Sequence, residues 1–149
     1  MRKAWNAWAA AGLLLASSLG MAQTPYSEDS TYRGLGGKEG IGKIVASFLV
    51  LVQQDVRVKE SFVDFDLEQL AGRLAEQLCE FSGGPCKYTG KYKDRDMESS
   101  HVDLKITNAQ FNAVTEDLQL AMEQHGIAPS VQNKLIAKLA PMQRAIVTY

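Results

Sequence analysis

The chain has 149 residues, of which 46% are hydrophobic and 22% charged, and its formal net charge is −1 at pH 7. A length of this order predicts one domain. The near-neutral balance lacks the basic surface of a nucleic-acid-binding protein, so nucleic acid is excluded as an expected partner.

The first 22 residues have the layout of a secretory signal peptide. A basic start at Met1-Arg2-Lys3 precedes an almost continuously apolar or small run from Ala4 to Met21. An uncleaved membrane anchor is the alternative, but the run is short for spanning a membrane and contains Asn6. We therefore expect a mature protein beginning near Gln23 that is exported, periplasmic or secreted, without stable membrane insertion. Loss of Arg2 and Lys3 would take its charge from −1 to about −3.

The next part of the chain leads into a first long helix. Residues 23–32 are polar and predict a flexible leader, so the globular domain is expected over residues 33–149. Glycines stand at 34, 36 and 37, which disfavours a helix interior there. Apolar residues then recur every three or four positions and predict a helix from about Lys38 to Gln54, followed by one irregular helical turn before Val63.

The rest of the chain predicts further helices. Asp66, with Gln69 three residues later, is typical of a helix N-terminus, and Ser82-Gly83-Gly84-Pro85 predicts the end of that helix. A brief helix is expected near Met97–Asp103. Thr107 is expected to cap a long helix, and Pro141 to bend a last one. No segment has strand periodicity, so the prediction is an all-α domain with four substantial helices and one short helix.

The chain contains two cysteines, Cys79 and Cys86. In an exported protein they could form a disulfide, or they could be two buried free thiols; their spacing alone leaves both open. A metal site built from these two residues is not expected, because no histidine or further cysteine completes it.

One of the two histidines, His101, lies within a pattern of distinctive residues. The pattern consists of Gly36-Gly37, Gly83-Gly84-Pro85, Tyr88-Thr89-Gly90, Met97, His101, Ile106-Thr107 and Phe111. With these residues the chain resembles the truncated haemoglobins, especially group I, from about Tyr32 to Ile146. Both tryptophans, Trp5 and Trp8, lie in the predicted signal peptide. The mature chain therefore lacks the tryptophan that group II and III members usually carry over the haem.

The resemblance implies a fold, a cofactor and a function. The fold would be a 2-on-2 helical sandwich enclosing one haem, with His101 as the iron ligand. The haem would be b-type and non-covalent, one per chain, because no CxxCH motif is present. The implied function is reversible binding of a diatomic gas (oxygen, or NO or CO) at five-coordinate iron. A reductase partner is left open.

The resemblance also assigns roles to residues around the haem. Phe62 aligns with the phenylalanine that stacks on the haem, with Phe65 as its rival. Arg73 falls where a basic residue can reach a haem propionate, and Gln77 is expected at the rim. His125 is interpreted as a solvated cap at a helix end. The remaining expected haem contacts are Phe48, Leu49, Leu70, Leu74, Tyr88, Met97 and Phe111, although Met97 could equally be core filler.

Two departures from the family pattern concern the distal side of the haem. Leu49 replaces a tyrosine and Leu74 replaces a glutamine. Without these polar groups, bound oxygen should leave faster and the iron should oxidise more readily. The same departures argue against the alternative of a haem enzyme, a nitric oxide dioxygenase or peroxidase-like protein, and no catalytic residue is assigned. A haem-free helical interaction module is the third hypothesis, and it leaves Met97, His101 and the glycine turns without a role.

Overall fold

The computed structural model describes residues 29–91 and 94–149, and these residues form helices, turns and loops but no β-strand. The predicted signal peptide and most of the predicted leader lie outside the described residues, as do residues 92 and 93. In chain order the helices are α1 (Asp29–Gly34), α2 (Gly37–Gln54), α3 (Leu67–Phe81), α4 (Met97–His101), α5 (Asn108–Gln124), α6 (Pro129–Leu139) and α7 (Gln143–Ile146). Short 3₁₀ turns lie at Lys59–Phe62, Val102–Leu104 and Ala140–Met142.

The helical domain begins earlier than the sequence predicts. The expected leader extends to residue 32, but α1 begins at Asp29, and Thr31 is only 2% exposed. The backbone N–H of Tyr32 donates to the carbonyl of Ser82 at 3.0 Å, which ties α1 to the end of α3. A tight turn with positive φ at Gly36 (83°) and Gly37 (65°) then leads into α2. Glycine adopts this backbone conformation without steric cost.

Capping side chains set the starts of the helices where the sequence predicts them. Asp66 accepts a hydrogen bond from the backbone N–H of Gln69 at 3.1 Å and caps α3. Thr107 and Gln110 form a reciprocal capping box at the start of α5. The predicted last helix is broken rather than simply bent, because a 3₁₀ turn containing Pro141 separates α6 from α7.

The four long helices form two pairs that face each other, α2 with α3 and α5 with α6. Helix α2 packs against both α3 and α5, and α6 packs against α3 and α5 from the other side. Their apolar stripes meet in a core of Ile41, Ile44, Val45, Phe48, Val52, Leu78, Ala113, Leu118, Ala121, Met122 and Leu135, all less than 9% exposed. This arrangement leaves a crevice between the pairs, closed on one side by α4. Within residues 29–91 and 94–149, no helix has the length and apolarity needed to cross a membrane.

Candidate functional site

A cavity of about 220 Å³ lies between the two helix pairs, and we call it the crevice. Nine of the ten predicted site residues line it, although they come from six different segments of the chain. These nine are Phe48, Phe62, Leu70, Arg73, Leu74, Tyr88, Met97, His101 and Phe111. The fold therefore brings together residues that are up to 63 positions apart in the sequence.

His101 is presented to the crevice by the short helix α4. Asp96 caps this helix by accepting a hydrogen bond from the backbone N–H of Ser99 at 2.8 Å. The half-buried imidazole lies with Nδ1 2.6 Å from the carbonyl oxygen of Met97, one turn earlier. A carbonyl oxygen can only accept, so Nδ1 is the donor of this hydrogen bond, and in the neutral form of the imidazole Nε2 then holds the lone pair. Among the described residues no hydrogen bond engages Nε2, which leaves it available as a metal ligand.

Leu49 is the predicted site residue that does not line the crevice. It is 6% exposed and packs in the hydrophobic core, while its neighbour Phe48 faces the crevice. Successive residues of an α-helix project about 100° apart, and here Leu49 projects toward the core while Phe48 projects toward the crevice. Leu49 therefore stabilises the packing behind the crevice wall rather than the wall itself.

Two phenylalanines line the side of the crevice near the 3₁₀ turn after α2. The ring centroids of Phe62 and Phe65 are 6.3 Å apart, with the planes tilted by 49°. Both rings line the crevice, so the preference for Phe62 over Phe65 as the phenylalanine that stacks on a haem stays a prediction. Together they offer a rigid apolar surface to a flat ligand.

One face of α3 forms another part of the crevice wall. Leu70, Leu74 and Gln77 follow the i, i+4, i+7 spacing of a single helical face, and all three line the crevice. Gln77 is expected at the rim but is only 6% exposed. Its amide lies against the sulfur of Met142, because the chain returns through α6 and α7 to close that end of the crevice.

Charged and polar side chains gather at the mouth of the crevice. The guanidinium of Arg73 donates to Glu76 at 3.2 Å and to Thr89 at 3.4 Å, and Arg95 donates to Asp103 at 3.2 Å. The side chains of Arg73 and Arg95 are 36% and 47% exposed, so both remain accessible to a ligand. Burial raises the pKa of the Tyr88 hydroxyl above its ordinary value, and its phenol stays neutral at physiological pH.

A disulfide settles the state of the two cysteines. Cys79, near the end of α3, is bonded to Cys86 in the following loop, with their Cα atoms 5.8 Å apart. The loop is fixed further by the backbone N–H of Gly84, which donates to the carbonyl of Cys79, and by that of Tyr88, which donates to Glu80. The disulfide thus holds the loop that carries Tyr88 against the end of α3.

The second histidine lies away from the crevice. His125 is the exposed C-terminal cap of α5, as its sequence position predicts, and its Nε2 lies 2.9 Å from the hydroxyl of Ser47. In the described part of the chain, no group of three or more histidine, cysteine, aspartate or glutamate residues could hold a metal ion.

Sequence reasoning missed several residues of the wall. Arg95, Leu139, Met142 and Ile146 all line the crevice. Three of them, Leu139, Met142 and Ile146, belong to the apolar stripe of the last predicted helix. That stripe predicts burial, but it does not show against which part of the fold the helix packs.

Comparison with known proteins identifies the class. A family model described as bacterial-like globin matches residues 30–148, and the chain therefore belongs to this family of haem-binding globins. Similar proteins include the group 1 truncated haemoglobin of Tetrahymena pyriformis, which is 29% identical over 103 residues, covering 69% of this chain and 82% of that protein. Another is the group 1 truncated haemoglobin GlbN of Mycolicibacterium paratuberculosis, 28% identical over 119 residues, covering 80% of this chain and 85% of that protein.

Solved structures confirm the truncated-haemoglobin fold that the sequence predicts. The Fe(III) form of the T. pyriformis truncated haemoglobin superposes with a TM-score of 0.73 at 26% identity, covering 78% of this chain and 97% of that chain. Its solved variants include one at a tyrosine and two at glutamines. The 2/2 haemoglobin of Synechococcus sp. PCC 7002, solved with covalently attached haem, has a TM-score of 0.71 at 22% identity, covering 80% of this chain and 98% of that chain.

The residues of the crevice fit a haem. A haem needs an apolar slot, one axial ligand and cations near its carboxylates. The crevice offers aromatic and aliphatic walls, a His101 Nε2 that makes no hydrogen bond within the described part of the chain, and Arg73 and Arg95 at the mouth. The charged groups and the apolar groups are separated in the way that an amphipathic ligand of this kind requires.

Proposed function

We propose that this chain binds one b-type haem through Nε2 of His101 and reversibly binds a diatomic gas there, with oxygen as the first candidate. The observation that carries the proposal is the imidazole itself. Its Nδ1 is engaged by Met97, and its Nε2 belongs to a residue that lines an apolar crevice. A neutral imidazole oriented by a backbone carbonyl is a preorganised iron ligand.

The chain's own residues bind and orient the group. Phe62 and Phe65 would pack against the ring system, and burial of apolar area contributes about 25 cal/mol per Å². Arg73 and Arg95 would pair with its carboxylates at the mouth, where both guanidinium groups are partly exposed. When bound, the haem iron supplies the open coordination position to which a diatomic gas can bind.

The apolar side chains of α3 in the crevice support reversible binding of a gas rather than catalysis of a reaction of that gas. In the T. pyriformis protein the varied tyrosine precedes the first varied glutamine by 21 positions, and the second glutamine follows four later. The same separations relate Leu49, Leu70 and Leu74 in this chain. Apolar side chains thus occupy positions where that relative has polar ones. Leu70 and Leu74, which line the crevice, provide no group to polarise or cleave an O–O bond.

The placement of the nucleophilic side chains supports non-covalent attachment of the haem. Both cysteines are used in the disulfide, and His125 is hydrogen bonded to Ser47 away from the crevice. Extraction with acidified acetone should therefore remove all haem from the polypeptide. Haem that remains with the protein after extraction would contradict this part of the proposal.

Absorption spectra of the ferric, ferrous and CO-bound forms test the proposal directly. The purified chain should show a Soret band that shifts on reduction and again with carbon monoxide. His101→Ala should abolish stable haem binding or change the ferrous spectrum, whereas the matched His125→Ala variant should do neither. Equal effects from the two variants would refute the assignment of His101.

Turnover measurements separate the gas-binding proposal from its rival, a haem enzyme. The haem-bound chain should show no sustained consumption of nitric oxide or peroxide when an external reductant is supplied. Catalytic turnover with either substrate would favour the enzyme, and would make the reductase partner that the resemblance leaves open a necessary component.

Export is proposed together with this function. The disulfide between Cys79 and Cys86 supports it, because such bonds persist in oxidising compartments and are rare in a reducing cytosol. Intact-mass measurement of protein from the cell envelope fraction should find an N-terminus at or near Gln23. A full-length species retained in the membrane would show that residues 1–22 anchor the protein.

A further inference from the structure

Gln77 is a buried polar side chain in a crevice wall that is otherwise mainly apolar. It shares one face of α3 with Leu70 and Leu74, and all three line the crevice. Only 6% of its surface is exposed. Burying an amide costs free energy unless the amide forms hydrogen bonds, so its position needs an explanation.

The hydrogen bond that Gln77 makes is a weak one. Its Nε2 donates to Sδ of Met142 at 3.4 Å, and no other hydrogen bond of this side chain is found among the described residues. A thioether sulfur is a poor acceptor, and a glutamine amide carries a second N–H. The amide therefore has unused capacity to donate hydrogen bonds. A better acceptor that enters the crevice would form a stronger hydrogen bond with it than the sulfur does.

The other polar side chains of the wall are already engaged or lie at the mouth. Thr115 donates to the carbonyl of Phe111 at 2.9 Å, and Ser100 points to the carbonyl of Arg95. Arg73 is bound to Glu76 and is 36% exposed. The ring of Tyr88 packs edge-on against Phe81 with the centroids 6.4 Å apart, and the next residue, Thr89, accepts a hydrogen bond from Arg73 at the mouth.

From this comparison, and resting on the proposed haem function, we propose that Gln77 is the hydrogen-bond donor to the gas ligand in the crevice. Its Nε2–H would leave the sulfur of Met142 and turn to the ligand. A neutral amide donor favours a ligand whose outer atom carries partial negative charge, so oxygen gains and carbon monoxide gains little. Gln77 would then supply, from one turn further along α3, the polar contact that Leu70 and Leu74 lack.

The experiment measures the C–O stretching frequency of the ferrous CO complex and the rate of oxygen dissociation. Gln77→Leu should shift the C–O stretch to higher frequency, as expected when a donor is lost. It should also speed oxygen release by about three- to ten-fold, equivalent to about 0.6–1.4 kcal/mol at 1.4 kcal/mol per decade. The matched control is Gln69→Leu, the same change at an exposed position of the same helix outside the crevice, and it should leave both quantities unchanged.

A second variant tests the exchange of acceptors in the opposite direction. Met142→Leu removes the sulfur and frees the Gln77 amide, so the C–O stretch should fall and oxygen release should slow. This variant also keeps the proposal testable if Gln77→Leu fails to fold. The fall in C–O stretching frequency depends on the amide of Gln77. A purely structural role of Met142 would not produce that fall.

The outcomes distinguish this inference from the proposed function. A normal Soret band with a C–O stretch and oxygen dissociation rate that are unaffected by both Gln77→Leu and Met142→Leu would overturn the role of Gln77 and leave the haem proposal intact. Purified wild-type chain that binds no haem when haem is supplied would overturn both.

Discussion

Cys79 and Cys86 are joined across seven positions of sequence, and their bond closes the turn between α3 and the loop that carries Tyr88. Cys79 is 1% exposed and packs in the core, so the loop is attached to the buried interior of the domain. One end of the crevice wall therefore depends on a covalent link rather than on packing alone.

Removal of this disulfide should lower the stability of the domain. A cross-link that closes a loop of this length stabilises the folded state by roughly 2–3 kcal/mol in the chain-entropy model. The double variant Cys79→Ala, Cys86→Ala should lose about that amount in urea unfolding and should release haem faster. A reductant such as dithiothreitol should destabilise the wild-type protein to a similar extent and have no effect on the double variant. Sensitivity of the double variant to the reductant would show that the effect does not arise from this bond.

The helices were predictable because their signals are local. The caps at Asp66 and Thr107 lie where the sequence places them, and their hydrogen bonds span only three residues. Helix α1 was not predicted, because Asp29–Gly34 has no periodic apolar stripe of its own. It is stabilised instead by long-range contacts, such as the bond between the Tyr32 amide and the Ser82 carbonyl, and single-sequence patterns contain no information about such contacts.

The site was predictable where a family pattern fixes the position and less so where side-chain direction decides. His101 and Phe111 lie at the crevice as expected. Leu49 and Gln77 do not lie where expected: the first turns into the core and the second turns inward from the anticipated rim. In each case a rotation of the helix by a fraction of a turn changes the environment of the side chain. Sequence periodicity alone does not define how a helix is rotated relative to the helices that pack against it.

Gly84 lies where the fold leaves no space for a side chain. A Cβ atom at this position would be 2.5 Å from Cδ2 of Tyr32 and 2.7 Å from Sγ of Cys79. Both neighbours are held, the first by packing and the second by the disulfide. Gly84→Ala should therefore destabilise the domain by about 1–3 kcal/mol in chemical unfolding, the usual cost of overpacking.

The matched control for that substitution is Gly72→Ala in α3. A Cβ atom there meets nothing within 4 Å, and the position is exposed in a helix. Alanine should raise stability by about 0.5–1 kcal/mol because it has the better helix propensity. Destabilisation by both substitutions would mean that the close approach of Tyr32 and Cys79 is not the cause.

Asp117 of α5 should make stability depend on pH in a direction opposite to that of most aspartates. It is 7% exposed, and its Oδ2 has no hydrogen-bond partner among the described residues. Burial, reinforced by the nearby carboxylate of Asp55, raises its pKa above the ordinary value of 3.8. Its contribution is therefore fully present below the unfolded pKa and is lost as the pH rises through the higher folded pKa.

Replacement of this carboxyl by an amide tests that sign. Asp117→Asn should stabilise the domain at neutral pH by on the order of 1 kcal/mol, because no buried charge remains, and the gain should fade as the solution is acidified. Urea unfolding at several pH values measures it. The exposed Asp64→Asn is the control and should change stability little at any pH. A gain that grows on acidification would contradict the argument.

Leu74 offers the most direct way to alter the gas affinity of the crevice. It is half-buried and lines the wall one turn before Gln77. Leu74→Gln introduces an amide of similar size, and a donor that contributes roughly 1.4 kcal/mol should slow oxygen release by about ten-fold. Leu74→Met is the matched control, because it changes shape without adding a donor, and it should leave the rate within about two-fold, since volume-conserving apolar changes are well tolerated. Stopped-flow displacement of oxygen by carbon monoxide measures the rate for all three proteins. Equal rates for the glutamine and methionine variants would show that position 74 does not reach the ligand, and the register that relates Leu70 and Leu74 to the glutamines of the T. pyriformis protein would then be wrong.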